Sequence, residues 1–190
     1  MQLAAMQQAL AEREAKALRR STRALGAVSG RLLHVNGRQY LNFSGNDYLG
    51  LASEPKVQQA LCDAVNQYGV GSTGSPLVTG FHAAHQALSA ELCDWLGVER
   101  VLLFSSGFAA NQSMLECLAS ADDQLLLDKL CHASLISAAQ QHPSQAKQPL
   151  RRFAHNKLAS LEKLLQKTAS ARHQLVVTEG VFSMDGDSPD

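Results

Sequence analysis

Neither sign of charge is in surplus, because lysine plus arginine and aspartate plus glutamate stand at 17 each. That balance offers no electrostatic reason to expect nucleic acid or an anionic membrane as a partner. No apolar run approaches the length of a membrane span. The first turns of the chain mix polar with apolar positions and include Glu12, Arg13, Glu14 and Lys16, which is not the pattern of a signal peptide. The cysteines, Cys62, Cys93, Cys117 and Cys131, form no C-x-x-C pair and no cluster with histidine at zinc spacing, so no metal centre is expected. Three of them fall on the apolar stripes of predicted helices, where cysteine behaves as a small hydrophobe. This usage, without a secretion signal, predicts a reducing, cytoplasmic setting. Repeats and low-complexity tracts are absent too.

What is present is a globular composition, 45% apolar and 18% charged over 190 residues, enough for one domain with a sizeable core. Leu3, Met6, Leu10, Ala17 and Leu18 lie near helical spacing and predict an amphipathic helix ending at Arg19 and Arg20. Two short strands are expected around Asn36-Gly37, a strong hairpin signal, followed by a loop over 44–50. Val57, Ala60, Leu61, Ala64, Val65 and Tyr68 mark a helix face, with Ser53 as its cap, Pro55 in its first turn and Gly69 as its stop. A helix over about 83–96 follows a stretch of small residues and is closed by Gly97.

From there strand-like and helical patterns alternate. Strands are expected over 101–104, 124–127, 152–154 and 174–178, and helices over 109–118, 133–140 and around Leu158, Leu161, Leu164 and Leu165. That alternation implies parallel β–α units. The expected fold is α/β: an N-terminal helical arm, hairpin and loop over residues 1–50, then a doubly wound, mostly parallel sheet over 51–190. The last strand runs into a loop, 179–187, with no helix after it, so the sequence reads as the front part of a longer protein.

In open α/β sheets, ligands gather beyond the C-terminal ends of the strands. Three loops fall there. The first, Ser105-Ser106-Gly107-Phe108, turns a strand into a helix, leaving unpaired N–H groups and the positive end of the helix dipole facing the turn. On local pattern alone this reads equally as an anion site or as an ordinary corner. The second carries His132, whose planar ring can stack on a flat ligand and exchange protons, although a helix cap is the commoner role for such a residue. The third carries Ser183. Their convergence on one sheet edge favours a ligand site. Cys131 has no electropositive partner besides His132 and is not read as a nucleophile. His82 and His85 lack a third ligand and read as a solvated helix face, and Glu179, Asp185 and Asp187 read as readily as turn formers as cation ligands.

The ordered blocks Asn42-Phe43-Ser44-Gly45-Asn46-Asp47-Tyr48-Leu49-Gly50-Leu51, Gly71-Ser72-Thr73-Gly74-Ser75 and Ser106-Gly107-Phe108-Ala109-Ala110-Asn111 strongly resemble the α-oxoamine synthases, as do His132-Ala133-Ser134 and the stretch from Thr178 to Asp187. These are pyridoxal 5'-phosphate enzymes of the aspartate-aminotransferase fold. The resemblance implies that Gly107 and Phe108 give backbone N–H groups to the cofactor phosphate. It further implies that His132 stacks on the pyridine ring in a catalytic and substrate-contacting role, that Ser183 hydrogen-bonds near the cofactor phenolate, and that Arg19 and Asn46 contact substrate. The segments from Arg151 to Asn156, His85 to Leu88 and Trp95 to Gly97 are most like the branch that condenses L-alanine with a pimeloyl thioester, carried on coenzyme A or on a carrier protein. In that chemistry the alanine Cα, once deprotonated, attacks the acyl carbon, the thiol leaves and CO₂ is lost. A homodimer is implied as well.

The resemblance also places the Schiff-base lysine, the partner of the pyridine nitrogen and a small C-terminal domain beyond Asp190. None of Lys16, Lys56, Lys129, Lys147, Lys157, Lys163 and Lys167 lies in a matching motif. These 190 residues are therefore expected to be inactive alone. Two other readings stand beside this one. The first is an α-oxoamine synthase of the 2-amino-3-ketobutyrate ligase type, and the second a non-catalytic module that binds a phosphate-bearing ligand.

Overall fold

The structure, a computed structural model, describes residues 2–22, 24–26 and 30–189. It divides into two compact units, 1–82 and 83–190. The expected boundary at residue 50 thus falls inside the first unit. No helix among the described residues is long and apolar enough to cross a membrane.

In the first unit, α1 (Gln2–Ala15) stops sooner than the apolar spacing suggested. The chain closes it with two bonds, Leu18 N–H to Arg13 O at 2.8 Å and Ala17 N–H to Glu14 O at 3.0 Å, while Ala17 takes φ 54°. These are the paired bonds of a left-handed helix terminus, so Arg19 and Arg20 lie beyond the helix. β1 (Leu32–Val35) and β2 (Arg38–Leu41) pair antiparallel with Val35 opposite Arg38. Asn36 and Gly37 both have positive φ, 51° and 74°, as the tight two-residue hairpin turn requires.

The N-cap position of α2 (Pro55–Tyr68) is Glu54, not Ser53, and its side chain makes no capping bond. Proline pushes the residue before it into an extended conformation, here φ −69° and ψ 121°, and that makes Glu54 the last non-helical residue. Ser53 belongs instead to a short 3₁₀ turn, and its hydroxyl donates to Gly50 O at 3.2 Å. His82 is not on a solvated face: its ring stands 5.6 Å from that of Tyr68, and its Nε2 lies 3.2 Å from Ser72 O. Cys62 is exposed, as is Cys117 of the second unit, so these two do not act as buried hydrophobes.

The second unit opens with α3 (Ala83–Leu96), ended by Gly97 at φ 65°. The expected strand over 101–104 is the one element that does not form. It joins no ladder among the described residues, and Leu102 is 81% exposed. An aliphatic run has strand propensity, but a strand exists only where a neighbour satisfies its N–H and C=O groups.

The remaining elements follow the expected alternation: α4 (Gly107–Leu118), β3 (Gln124–Asp128), α5 (Ala133–Gln141), β4 (Arg151–Phe153), α6 (Leu158–Lys167) and β5 (Gln174–Val177). The three strands form a parallel sheet in the order β4-β3-β5. β3 is buried at every position, as the middle strand of a sheet covered on both faces must be. Its register sets Leu125 beside Leu175 and Leu127 beside Val177. These four pack with Leu115 of α4 and with Leu135, Ala138 and Ala139 of α5. The opposite face carries Val176 and Phe153 toward Leu158 and Leu161 of α6. Helices on both faces of a parallel sheet make this an α/β fold, as expected.

Asp128 ends β3 as a fully buried carboxylate. Its oxygens accept from Leu130 N–H at 2.8 Å and Asn156 N–H at 3.0 Å, and stand 2.9 Å from His155 Nδ1. The other ring nitrogen of His155, Nε2, lies 2.9 Å from Asp187 Oδ2. Ionised carboxylates can only accept, so this geometry favours a proton on each ring nitrogen of His155. The hydrogen bond to Asp128 raises its pKa most; burial opposes that rise and Asp187 adds to it. Burial pushes the Asp128 carboxyl up, but the two backbone N–H groups and His155 outweigh it and hold the group below its ordinary value. Phe182, 2% exposed, meets the His155 ring edge-on at 4.4 Å. The turn it opens is closed by Phe182 N–H to Asp187 O and Gly186 N–H to Phe182 O. The clamp thus ties the loop after β5 to the end of β3.

Two outcomes follow from this packing. Leu127→Ala should lower unfolding free energy by about 2–5 kcal/mol, read from urea denaturation, because it opens a cavity in the middle of the core. The clamp should also make stability depend on pH. His155 has a raised folded pKa, so its contribution is complete below the ordinary histidine value of about 6.5 and is lost as pH rises through the higher folded value. Asp128 has a lowered one, so its contribution is present above the ordinary carboxylate value and is lost as pH falls through the folded value. The urea midpoint measured against pH should show the alkaline-side loss in the native chain and not in His155→Gln.

Candidate active site

An open cleft of about 630 Å³ lies at the carboxyl edge of the sheet. The N-terminal turns of α4 and α5 and the loop leaving β5 line it, through Gly107, Phe108, Asn111, Met114, His132, Ser134, Leu135 and residues 178–181. All of these residues belong to the second unit.

α4 begins at Gly107, two residues earlier than its apolar pattern indicated. Ser106 caps it, its Oγ accepting from Ala109 N–H at 3.2 Å. Because that cap serves Ala109, the N–H groups of Gly107 and Phe108 remain without a partner among the described residues. They are the orphan donors that every helix start leaves, concentrated where the helix dipole is positive. A Cβ built on Gly107 would meet nothing within 4 Å, so the backbone there is open to an approaching group. The anion-site reading thus has donors without partners among the described residues, on residues that line a cleft.

His132 is both a helix cap and a cleft residue. Its Nδ1 accepts from Ser134 N–H at 3.2 Å, capping α5. The backbone N–H of His132 donates to the Glu179 carboxylate, which ties the loop after β5 to the start of α5. An anionic group is favoured at a helix start, so Glu179 acts as a structural tether. It is not grouped with Asp185 and Asp187 as a cation ligand. Those two stand instead with His155, all three offering ligand atoms within 4.8 Å of one another. Both ring nitrogens of His155 already face carboxylates, Asp128 and Asp187.

The other sequence candidates lie elsewhere. Ser183 is exposed within the turn after Phe182 and does not line the cleft. Arg19, in the first unit, holds an exposed ion pair with Glu14 at 2.6 Å. Asn46, also in the first unit, is exposed. Cys131 is buried, its thiol 3.5 Å from Val177 O. Burial first, then the nearby carboxylates of Glu179 and Asp128, push its pKa up to about 11, which agrees with rejecting it as a nucleophile.

Three contributors were not given these roles from sequence. Asn111 lies one helical turn beyond Gly107 and so on the same face of α4. Its Nδ2 donates to Ser134 Oγ at 2.9 Å, joining α4 to α5 beneath the cleft. Ser134 is fully buried. The readable signal for it was the His-x-Ser spacing at a helix start, a side-chain capping pattern. Glu179 was visible only as an acidic turn residue, because its partner is 47 positions away.

Comparison with known proteins finds relatives of the chain as a whole. The family model for aminotransferase class I and II matches residues 38–190. A relative named 8-amino-7-oxononanoate synthase, from Yersinia enterocolitica, is 52% identical over 179 residues, which are 94% of this chain and 45% of the relative. This chain therefore spans less than half the length of that protein. Among solved structures, a serine palmitoyltransferase variant from S. paucimobilis with a bound PLP–myriocin aldimine superposes with a TM-score of 0.85 at 28% identity, over 98% of this chain and 47% of that one. An 8-amino-7-oxononanoate synthase from Francisella tularensis superposes with a TM-score of 0.59 at 30% identity, over 77% of this chain and 38% of that one. These matches bear out the resemblance read from the motif blocks. The chain belongs to the aminotransferase class I and II family.

Proposed function

We propose that this chain forms the phosphate- and ring-binding part of a pyridoxal-phosphate acyltransferase. The reaction would condense L-alanine with a pimeloyl thioester to 8-amino-7-oxononanoate, CO₂ and free thiol, a step of biotin biosynthesis in the cytoplasm. The observation that carries this reading is the pair of unpartnered N–H groups at Gly107 and Phe108 opening on the same cleft as the His132 ring. That donor set suits a phosphate at one end of a flat ring. When bound, pyridoxal phosphate would supply an electron sink for the charge left when the alanine Cα proton is removed.

In this reading Gly107 and Phe108 donate to the phosphate. His132 keeps the ring flat, so that the bond being broken stays aligned with its π system, and it contacts the amino-acid substrate. Ser183 serves the phenolate oxygen, and Arg19 and Asn46 contact substrate. Residues 51–190 are the front part of the cofactor-binding domain, and the protein works as a homodimer. No lysine lines the cleft among the described residues, and covalent attachment is assigned to none of them. The likeness to serine palmitoyltransferase keeps serine in view as a competing amino acid, whereas the 52% identity to an 8-amino-7-oxononanoate synthase favours alanine.

Gly107→Pro tests the phosphate contact with little disturbance of the helix. Proline is well suited to the first helical position and removes one N–H, and Ser106 is already extended at φ −159° and ψ 154° as the residue before proline should be. Affinity for pyridoxal phosphate, measured by fluorescence titration, should fall about tenfold to a hundredfold, as expected for one hydrogen bond to a charged acceptor. Gly107→Ala keeps the N–H but places a Cβ in the open space beside it, and should lose less affinity than Gly107→Pro. Substrate choice is read from the visible spectrum of the protein extended to the length of its relatives and loaded with pyridoxal phosphate. The band should shift on adding L-alanine, and a shift with glycine or serine but not with alanine would sink the biotin assignment.

A further inference from the structure

Two His-x-Ser caps occur in the second unit, and they differ in one respect. At His142-Pro143-Ser144, Nδ1 accepts from Ser144 N–H at 3.2 Å and stands 2.9 Å from Ser144 Oγ, while Nε2 lies 3.3 Å from Ala119 O. That ring is buried, and both of its nitrogens are used inside the fold. At His132-Ala133-Ser134 the same two bonds hold Nδ1, at 3.2 Å and 2.7 Å. Here Nε2 has no hydrogen bond among the described residues, and the residue lines the cleft.

A backbone N–H can only donate, so the Ser134 N–H at 3.2 Å favours a lone pair on Nδ1, and the neutral ring then carries its proton on Nε2. The Ser134 hydroxyl reinforces this. The Asn111 side-chain amide donates to Ser134 Oγ at 2.9 Å and occupies one of its lone pairs. The hydroxyl proton is then left for Nδ1. Donation runs one way, from Asn111 to Ser134 to His132.

We propose that Asn111 and Ser134 are positioning residues that set the polarity of His132, so that the neutral imidazole presents an N–H donor at Nε2 to the occupant of the cleft. The relay joins the helix that offers Gly107 and Phe108 to the helix that carries the ring. A ligand bridging the two therefore meets donors at both ends.

The test is nitrogen NMR of the full chain carrying ¹⁵N-labelled histidine, with His132→Asn used to identify the His132 signals among the seven histidines. The native chain should show His132 as the Nε2–H tautomer. Asn111→Asp is nearly isosteric but turns the amide donor into an acceptor. It should draw the Ser134 hydroxyl proton to itself, leave a lone pair facing Nδ1, and move the His132 proton to Nδ1 or protonate both nitrogens. Asn111→Ala removes the amide that directs the Ser134 hydroxyl and should give a mixture of the two tautomers, whereas Ser134→Thr keeps the hydroxyl and should keep the native pattern. The His142 signals, from a cap outside this relay, report whether each variant is folded. A native Nδ1–H tautomer, or an Asn111→Asp spectrum identical to the native one, would overturn the proposal, and the native spectrum alone decides it if the variants misfold. The readout needs neither cofactor nor substrate, so its failure is separate from failure of the acyltransferase reading.

Discussion

A buried charge at the end of the middle strand organises the second unit. Asp128 is fully enclosed where β3 ends, and an enclosed carboxylate is tolerable only if its oxygens are met by donors. Three donors come from two loops: Leu130 just after the strand, and the neighbours His155 and Asn156 after β4, with His155 also reaching Asp187 after β5. Satisfying one carboxylate therefore draws the loops of all three strands to one edge of the sheet. Replacing such a charge with an apolar residue would leave those loops without a common partner.

The cleft depends on that assembly. With the β5 loop drawn toward β3, the Glu179 carboxylate reaches the first N–H of α5, and residues 178–181 become one wall. The opposing wall is the N-terminal turn of α4, held against α5 by the Leu115 and Leu135 packing and by the Asn111–Ser134 bond. Two helix starts thus face one space, each with its dipole's positive end toward it. Such a site suits an anion before any particular side chain is considered, since the donors it offers at Gly107 and Phe108 are backbone groups.

Much of this could be read from residues alone. The hairpin at Asn36-Gly37 was legible because only a turn with two positive φ values joins strands so tightly there. The alternating helices and strands after residue 107 were legible from periodicity, and so was the placement of His132 after a strand and of Gly107 at a helix start. The relay through Ser134 was not. Serine beside a helix start has several uses, and which one it adopts depends on Asn111, 23 positions earlier. His155 showed only as part of a motif, because its two carboxylate partners lie 27 and 32 positions away.

Local chemistry in the sequence determined where the chain turns, where its helices start and which stretches are apolar enough to be buried. A proline at residue 55, a glycine at 97 and a serine at 106 each act on neighbours a few bonds away, and the structure follows them there. Tertiary structure alone decided the rest. The aliphatic run over 101–104 has the composition of a strand but no ladder among the described residues, since a strand needs a partner that its own residues cannot supply. The protonation of His155 and the tautomer of His132 were likewise settled by donors and acceptors brought in from distant positions, because a hydrogen bond is defined by both of its ends.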